Sequence, residues 1–348
     1  MKKALIVLLA LAVAGGLFAQ VSFSGGVASG LLLNFDDDGY GLYTSKSDAG
    51  DQYGHDFGVS YTADSGNAGG NVGFTGGNGE WGFDSAKLWF KPLDMLTISG
   101  GSGGQGGFGT PGPIDPSNGA NDLLGINFKL EPMAGLALGA SVGPADGLEF
   151  GDAAYALGVV YDMATVFKAV ANLKYDGSGN EGDGLVNAAA GVEVSALSNI
   201  AGLVISAALS AEDVANLSDA GKLTAGAKVG FKVADLGAGL SATLKVPVQE
   251  SQELNAKINA DLSYPIGAAT AGLGVNYVLK GAGKTGKFEA GSVDFDYSAA
   301  DTAALTIHPS VSFGVGGADL KVGYGLSATL GDEMTLGHVI YTGFSIGF

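Results

Sequence analysis

Cysteine is absent from the 348 residues, and arginine is absent too: all 17 basic residues are lysine. Without cysteine there is no disulfide, no thiolate nucleophile and no lipid-modified cysteine to act as an anchor. Charged residues are only 15% of the chain and the formal net charge is -18, which excludes a basic nucleic-acid surface. Disorder is excluded as well, because hydrophobic residues reach 46%. After the first apolar stretch no run approaches the roughly 20 residues that a membrane-spanning helix needs, and no amphipathic helical stripe follows it.

That first stretch, MKKALIVLLALAVAGGLFAQ, places Lys2 and Lys3 ahead of an apolar run from Ala4 to Ala14. It reads as a secretory signal peptide over residues 1–19, with cleavage after Ala19. Residues 20–348 read as a single domain with no linker.

Within that domain the signal is period two. LTAGAKVGFKV sets Leu223, Ala225, Ala227, Val229, Phe231 and Val233 on one face and Thr224, Gly226, Lys228, Gly230 and Lys232 on the other. Such alternation marks a strand whose faces meet different solvents. It recurs over 21–35, 155–161, 167–175, 186–196, 236–246, 254–264 and 320–330. Many of these segments run about ten residues or more, near the length a tilted strand needs to cross a bilayer and above the usual five or six of globular sheets.

The connections alternate in character. Short ones at 91–95, 131–135, 162–165, 197–201, 234–237 and 264–267 interleave with longer acidic or Gly-rich ones at 36–54, 101–122, 176–184 and 211–221. Short turns at one end and long loops at the other are the pattern of outer-membrane barrels. Periodicity yields about 19 candidate strands, and an even number is required if both ends lie on one side of the membrane. The broken, polar segment 281–302 is the weakest and reads as a loop excursion. Removing it leaves an all-β, transmembrane, antiparallel up-and-down barrel of about 18 strands. About 16 is the next choice, if the weak hairpin around Val72 also lies in a loop.

The chain ends YTGFSIGF, with Ile340, Thr342, Phe344, Ile346 and Phe348 on one face. This ending resembles the C-terminal assembly signal of bacterial outer-membrane β-barrels, with Phe344, Ile346 and the terminal Phe348 in the positions read by the barrel-assembly machinery. Thr342 departs from a fully apolar face. In architecture the chain resembles Gram-negative and spirochaete porin-like proteins, over the whole of residues 20–348. The resemblance implies residence among outer-membrane lipid, passive diffusion of small hydrophilic solutes, and often a homo-trimer.

If the apolar face meets lipid, the other face lines an interior. It carries Lys87, Lys129, Lys168, Lys174, Lys228, Lys232, Lys245, Lys257 and Lys321, interspersed with Asn127, Asn172, Ser241, Thr243 and Asn259. Glu193 and Asp261 are the chief acids read there. A one-signed charge in a confined passage biases which ions enter, so a weak anion preference is expected despite the acidic total. Segment 101–122 is third among the outer loops, the loop that folds into the channel in general porins, which makes Asp115 a candidate constriction residue. Its Gly, Pro and Ser composition favours a mobile surface loop instead.

Several patterns imitate chemistry. GSGGQG at 101–106 matches the dinucleotide fingerprint but precedes GFGTPGPIDP where a helix is required. Gly283-Lys284-Thr285 lacks the leading Gly of a phosphate loop. Asp176, Ser178, Asn180 and Asp183, like Asp36, Asp37 and Asp38, offer oxygens that calcium accepts, but no EF-hand Glu follows. They read as solvated turns, so no metal or cofactor is expected. His55, His308 and His338 have no Ser and acid brought to them by any sequence rule, and no enzyme is expected. An adhesin or structural barrel is the alternative class, with Tyr40, Tyr43 and Tyr53 of the first loop suited to a binding partner.

Overall fold

The computed structural model describes residues 19–36, 39–44, 54–77, 80–101, 108–109, 111, 125–144, 153–163, 166–176, 185–195, 202–217, 221–247, 254–280, 282–283, 287–289, 292–294, 297–298 and 302–347. No helix among them is long and apolar enough to cross a membrane. Apart from one turn of 3-10 helix at Val214–Asn216, the regular structure is β.

β1 (Ala19–Asp36) pairs along one edge first with β2 (Gly39–Thr44) and then with β3 (Gly54–Ala63), which lie end to end. Next come β4 (Ala68–Gly77), β5 (Glu80–Leu93), β6 (Leu96–Gly101), β7 (Gly125–Met133), β8 (Leu136–Pro144) and β9 (Ala153–Met163). The wall continues through β10 (Phe167–Asp176), β11 (Leu185–Val194), β12 (Val204–Glu212), β13 (Lys222–Val233), β14 (Leu236–Val246), β15 (Asn255–Ile266) and β16 (Ala269–Val278). Four short strands, β17 (Ala282–Gly283), β18 (Lys287–Glu289), β19 (Ser292–Asp294) and β20 (Tyr297–Ser298), pair only among themselves. β16 therefore pairs directly with β21 (Ala303–Val315), followed by β22 (Ala318–Leu330) and β23 (Met334–Gly347).

Each strand of the wall pairs antiparallel with the next, and β23 pairs with β1 from Gly26↔Gly347 to Phe35↔His338. The wall thus closes on itself and leaves no edge to lipid. Nineteen strands form this sheet; because β2 and β3 share one crossing, the described wall is crossed eighteen times. Segment 281–302 is the excursion its broken pattern suggested. The hairpin around Val72 belongs to the wall as β3 and β4, so the sixteen-strand reading is set aside.

Tight connections at 64–67, 94–95, 134–135, 234–235, 267–268 and 316–317 all lie at one end. In the last of these Gly316 and Gly317 have φ of 60° and 88°. Positive φ at both central residues is the backbone of a type I′ turn, whose twist matches that of paired strands.

Register fixes the faces. From β7 to β23, every described outward register position of the wall lacks Asp, Glu and Lys; Pro144, Pro309, Thr342 and His338 are the departures from aliphatic and aromatic residues. This apolar face is also the accessible one: Leu88 is 58% exposed, Leu157 57% and Leu240 50%. An apolar surface of that extent is stable only against lipid. Aromatic rings edge it at both ends. Tyr61, Phe90, Tyr161, Phe167, Phe231, Tyr264, Phe313 and Phe344 lie near the short-turn end, and Phe74, Phe83, Tyr155, Tyr175 and Tyr277 near the other. Tyr155 and Tyr175 pack at 6.2 Å between ring centroids. On β10, Phe167 and Tyr175 are separated by roughly 26 Å of strand, which at a tilt of about 40° covers about 20 Å of depth, so both rings fall near the borders of an apolar band of about 25 Å.

The closing seam is packed by Tyr341, which is 1% exposed on the inward face. Its ring lies across Gly323 on β22, and its hydroxyl shares a hydrogen bond with Ser310 on β21. A Cβ at Gly323 would overlap that ring. Gly323→Ala is therefore expected to destabilise the refolded barrel by about 1–3 kcal/mol, the usual range for overpacking. A double-mutant cycle with Tyr341→Ala, read from urea unfolding in lipid vesicles, should show coupling between the two sites. Strict additivity would refute the steric account.

Candidate transport lumen

The nine lysines expected inside the barrel all fall at register positions opposite the apolar face. Lys87 pairs with Asn71 and Gly101, Lys129 with Thr97 and Gly139, and Lys174 with Ala156 and Asn187. Lys228 stands between Ser206 and Ser241, Lys245 between Thr224 and Asn255, and Lys257 between Thr243 and Val278. Lys321 stands between Ser312 and Gly343, and Lys232 faces Gly237. Lys87 and Lys129 repel each other across β6.

Carboxylates are more frequent on this face than the sequence reading allowed. Besides Glu193 and Asp261, register brings Asp162, Glu212 and Asp319 to it, and an ion pair with Lys129 brings Glu131. Glu131 bridges Lys129 at 2.9 Å, and Glu212 bridges Lys222 at 3.2 Å. Lys168 has Asp162 directly opposite on one side and Glu193 on the other. These acids sit at strand ends, where the period-two pattern blends into turn composition, and for that reason they read as loop residues.

Two parts of the inward face are shielded from water. Across β7 to β12, Asn127 is 0% exposed, Ser141 5%, Ala156 1% and Asn172 7%. These are lumen positions in a wide barrel, so chain from elsewhere must cover them. Phe108 provides part of the explanation: its N–H donates to Asn172 Oδ1 at 2.8 Å, and Asn172 Nδ2 donates to its carbonyl at 2.5 Å. The Asn172 amide thus acts as a short strand edge for residue 108. On β9 the residue beside Asn172 is Gly158, and beside that on β8 is Gly139, so the wall at this level has no side chains to hold the segment off. At Phe108 the expectation of a mobile surface loop is corrected, because this residue is clasped to the inner wall 64 residues away in sequence; apart from 101, 109 and 111, the rest of 101–122 lies outside the described residues. Asp115 lies outside the described residues.

The second shielded part follows the seam. Val278, Ala304, Thr306, Val339 and Tyr341 are buried and uncharged, and β17 lies against β21 and β22. Between the two parts, β13 to β15 remain open. Lys228 and Lys245 are exposed there, above Ser241, whose oxygen accepts from Asn259 Nδ2 at 3.3 Å. The mouth next to this stretch is tied by Asn255 and Lys280, which exchange two 3.2 Å bonds, and by Asn187 Oδ1, which accepts from the Asp213 N–H at 2.9 Å.

Phe344 and Ile346 face outward at 43% and 46% exposure, and Phe348 lies outside the described residues. His308 lies across Gly274 and meets Asn276 at 3.3 Å, while His338 contacts the Tyr324 hydroxyl on the apolar face. The side chains of His55, Tyr40 and Tyr43 lie outside the described residues, as do Tyr53, Ser178, Asn180 and Asp183. No group of three or more metal-ligating side chains occurs among the described residues.

A closed, lipid-faced, antiparallel wall of eighteen crossings around a polar interior has the fold of outer-membrane porins. OccAB3 of Acinetobacter baumannii has this fold with a TM-score of 0.57 and 7% identity, over 94% of this chain and 100% of that one. OpdQ of Pseudomonas aeruginosa gives 0.57 at 10% identity, over 94% of this chain and 99% of that one. Outer-membrane expressed OmpT of Vibrio cholerae gives 0.51 at 12%, over 95% and 98%. At these identities the likeness is one of fold. No family model and no curated protein sequence matches the chain.

Proposed function

We propose that the protein is an outer-membrane channel for passive diffusion of small hydrophilic solutes, with a weak preference for anions. In this reading residues 1–19 are removed on export, residues 20–348 form the barrel, and the C-terminal strand is read by the assembly machinery. The observation that carries the proposal is the open stretch of β13 to β15, where Lys228 and Lys245 are exposed inside a wall whose described outward positions from β7 to β23 carry no Lys, Asp or Glu. Transport needs no reacting group: hydroxyls, amides and ammonium groups replace some of the solute's contacts with bulk water.

Between β13 and β15 the inward register positions carry Lys222, Lys228, Lys232, Lys245 and Lys257 against Asp261, so the field along that stretch opposes that of the acidic total. Ion pairing and a screening length of about 8 Å in physiological salt keep the bias small. Single-channel current in a planar bilayer under a potassium chloride gradient should show steady conductance and a reversal potential leaning toward chloride. A cation-leaning reversal would refute the role given to the lysines. Folded, inserted protein that carries no current would refute the channel and leave a binding or structural barrel.

A further inference from the structure

We infer that the inward face of β3 to β5 holds a binding site for neutral saccharides, built on the ring of Trp89 and on the polar side chains of Ser60, Thr62 and Asn71 beside it. This rests on the channel reading and names a solute class for it. Among the described side chains of the inner wall, Trp89 is the one Phe, Tyr or Trp besides Tyr341. Tyr341 is packed away at the seam, whereas Trp89 is only half-buried. The Trp89 ring lies across Gly69, with Cζ2 and Cε2 at 2.6 and 2.8 Å from where a Cβ would stand. The absence of a side chain at 69 lets so large a ring rest against the wall near the short-turn end.

The surroundings favour a neutral, hydroxyl-rich solute. Asn71 is exposed and stands diagonal to Trp89, at about 7–8 Å, and Thr62 is exposed on the far side of Gly69. Ser60, opposite Asn71, shares a 2.7 Å hydrogen bond with Ser22, which carries the hydroxyl track on to β1. The register neighbours of Thr62, Asn71 and Trp89 include no carboxylate: they are Gln20, Ser60, Gly69, Lys87 and Ser99. Hydroxyls and amides donate and accept alike, which suits a solute whose own hydroxyls do the same, while the ring offers an apolar surface to the C–H groups of a sugar. A purely aromatic solute would use the ring and leave the hydroxyls idle. An anion would be drawn to Lys91, whose Nζ lies 5.7 Å from the Trp89 ring centroid, and would leave the rest of the track unused.

The test titrates maltotriose against chloride current through the full barrel. Current should fall and saturate. Trp89→Ala should raise the half-blocking concentration by about threefold to tenfold, the loss of one aromatic contact. Asn71→Ala should raise it less, and Trp89→Phe, which keeps a ring, should lie between the unmodified protein and Trp89→Ala. Salt should leave the half-blocking concentration nearly unchanged, because screening acts on charges and maltotriose has none. Lack of saturation, or an unaltered half-blocking concentration in correctly folded Trp89→Ala, would overturn the site while leaving the channel intact. Tryptophan emission reads binding without any current, since the chain has 2 Trp and Trp81→Phe leaves Trp89 alone. A saturable emission shift with maltotriose in detergent-refolded Trp81→Phe barrels would support the site even if the channel reading failed. No shift, or a shift reached at lower concentration with benzyl alcohol than with maltotriose, would overturn it.

Discussion

Asn172→Ala should raise single-channel conductance and make the open-channel current noisier, without weakening the barrel. The side chain makes both of its described hydrogen bonds to the backbone of Phe108, while its own backbone stays in the ladder with β9 and β11. Each such bond contributes about 1 kcal/mol net, so losing the pair shifts the held-to-released equilibrium of that segment by about thirtyfold. Directly across the β9 and β8 side the lumen positions are Gly158 and Gly139, which offer no side chain to replace the clasp. Asn172→Asp retains an acceptor for the Phe108 N–H and loses the donor, so its conductance should fall between the two. Heat-modifiable electrophoretic mobility serves as the folding control. Unchanged conductance in a correctly folded Asn172→Ala barrel would show that the clasp does not set the bore.

That clasp marks the limit of what the sequence discloses. Leu223 to Val233 alternates so regularly that one face can be read as lipid-facing from composition alone, and the final strand reads the same way. Asn172 also alternates correctly, but its bond to Phe108 joins distant parts of the chain and no local spacing encodes it. The inward acids were missed for a different reason. Glu131, Asp162 and Asp319 lie within the last or first residues of their strands, where a turn composition hides the parity; register restores it for Asp162 and Asp319, and the ion pair with Lys129 places Glu131. A further signal was present and unread. Tyr61, Tyr161, Phe231, Tyr264 and Phe313 each stand two residues before the end of a strand that enters a short turn. This repeat is the lower aromatic belt, which anchors the barrel where hydrocarbon gives way to headgroups.

The assignment of faces carries everything said of the lumen, and adjacent residues of one strand can test it. Leu240 and Ser241 lie in mid-β14, pointing to opposite sides of the wall. Leu240→Arg places a guanidinium against the middle of the hydrocarbon layer, at an expected cost of about 2–4 kcal/mol. Ser241→Arg adds the same group to a hydrated interior and should cost less than about 1 kcal/mol, since only crowding by Lys228 and Asn259 opposes it. Both are read as the urea midpoint for folding into lipid vesicles. The conductance of the two variants should separate in the reverse order: Leu240→Arg barrels that do insert should conduct normally, whereas Ser241→Arg should narrow the open wall and strengthen the lean toward chloride. Equal stability losses would mean that the two faces meet the same solvent. In that case the exposed leucines of β14 would not be facing lipid, and the passage along β13 to β15 would lose its basis.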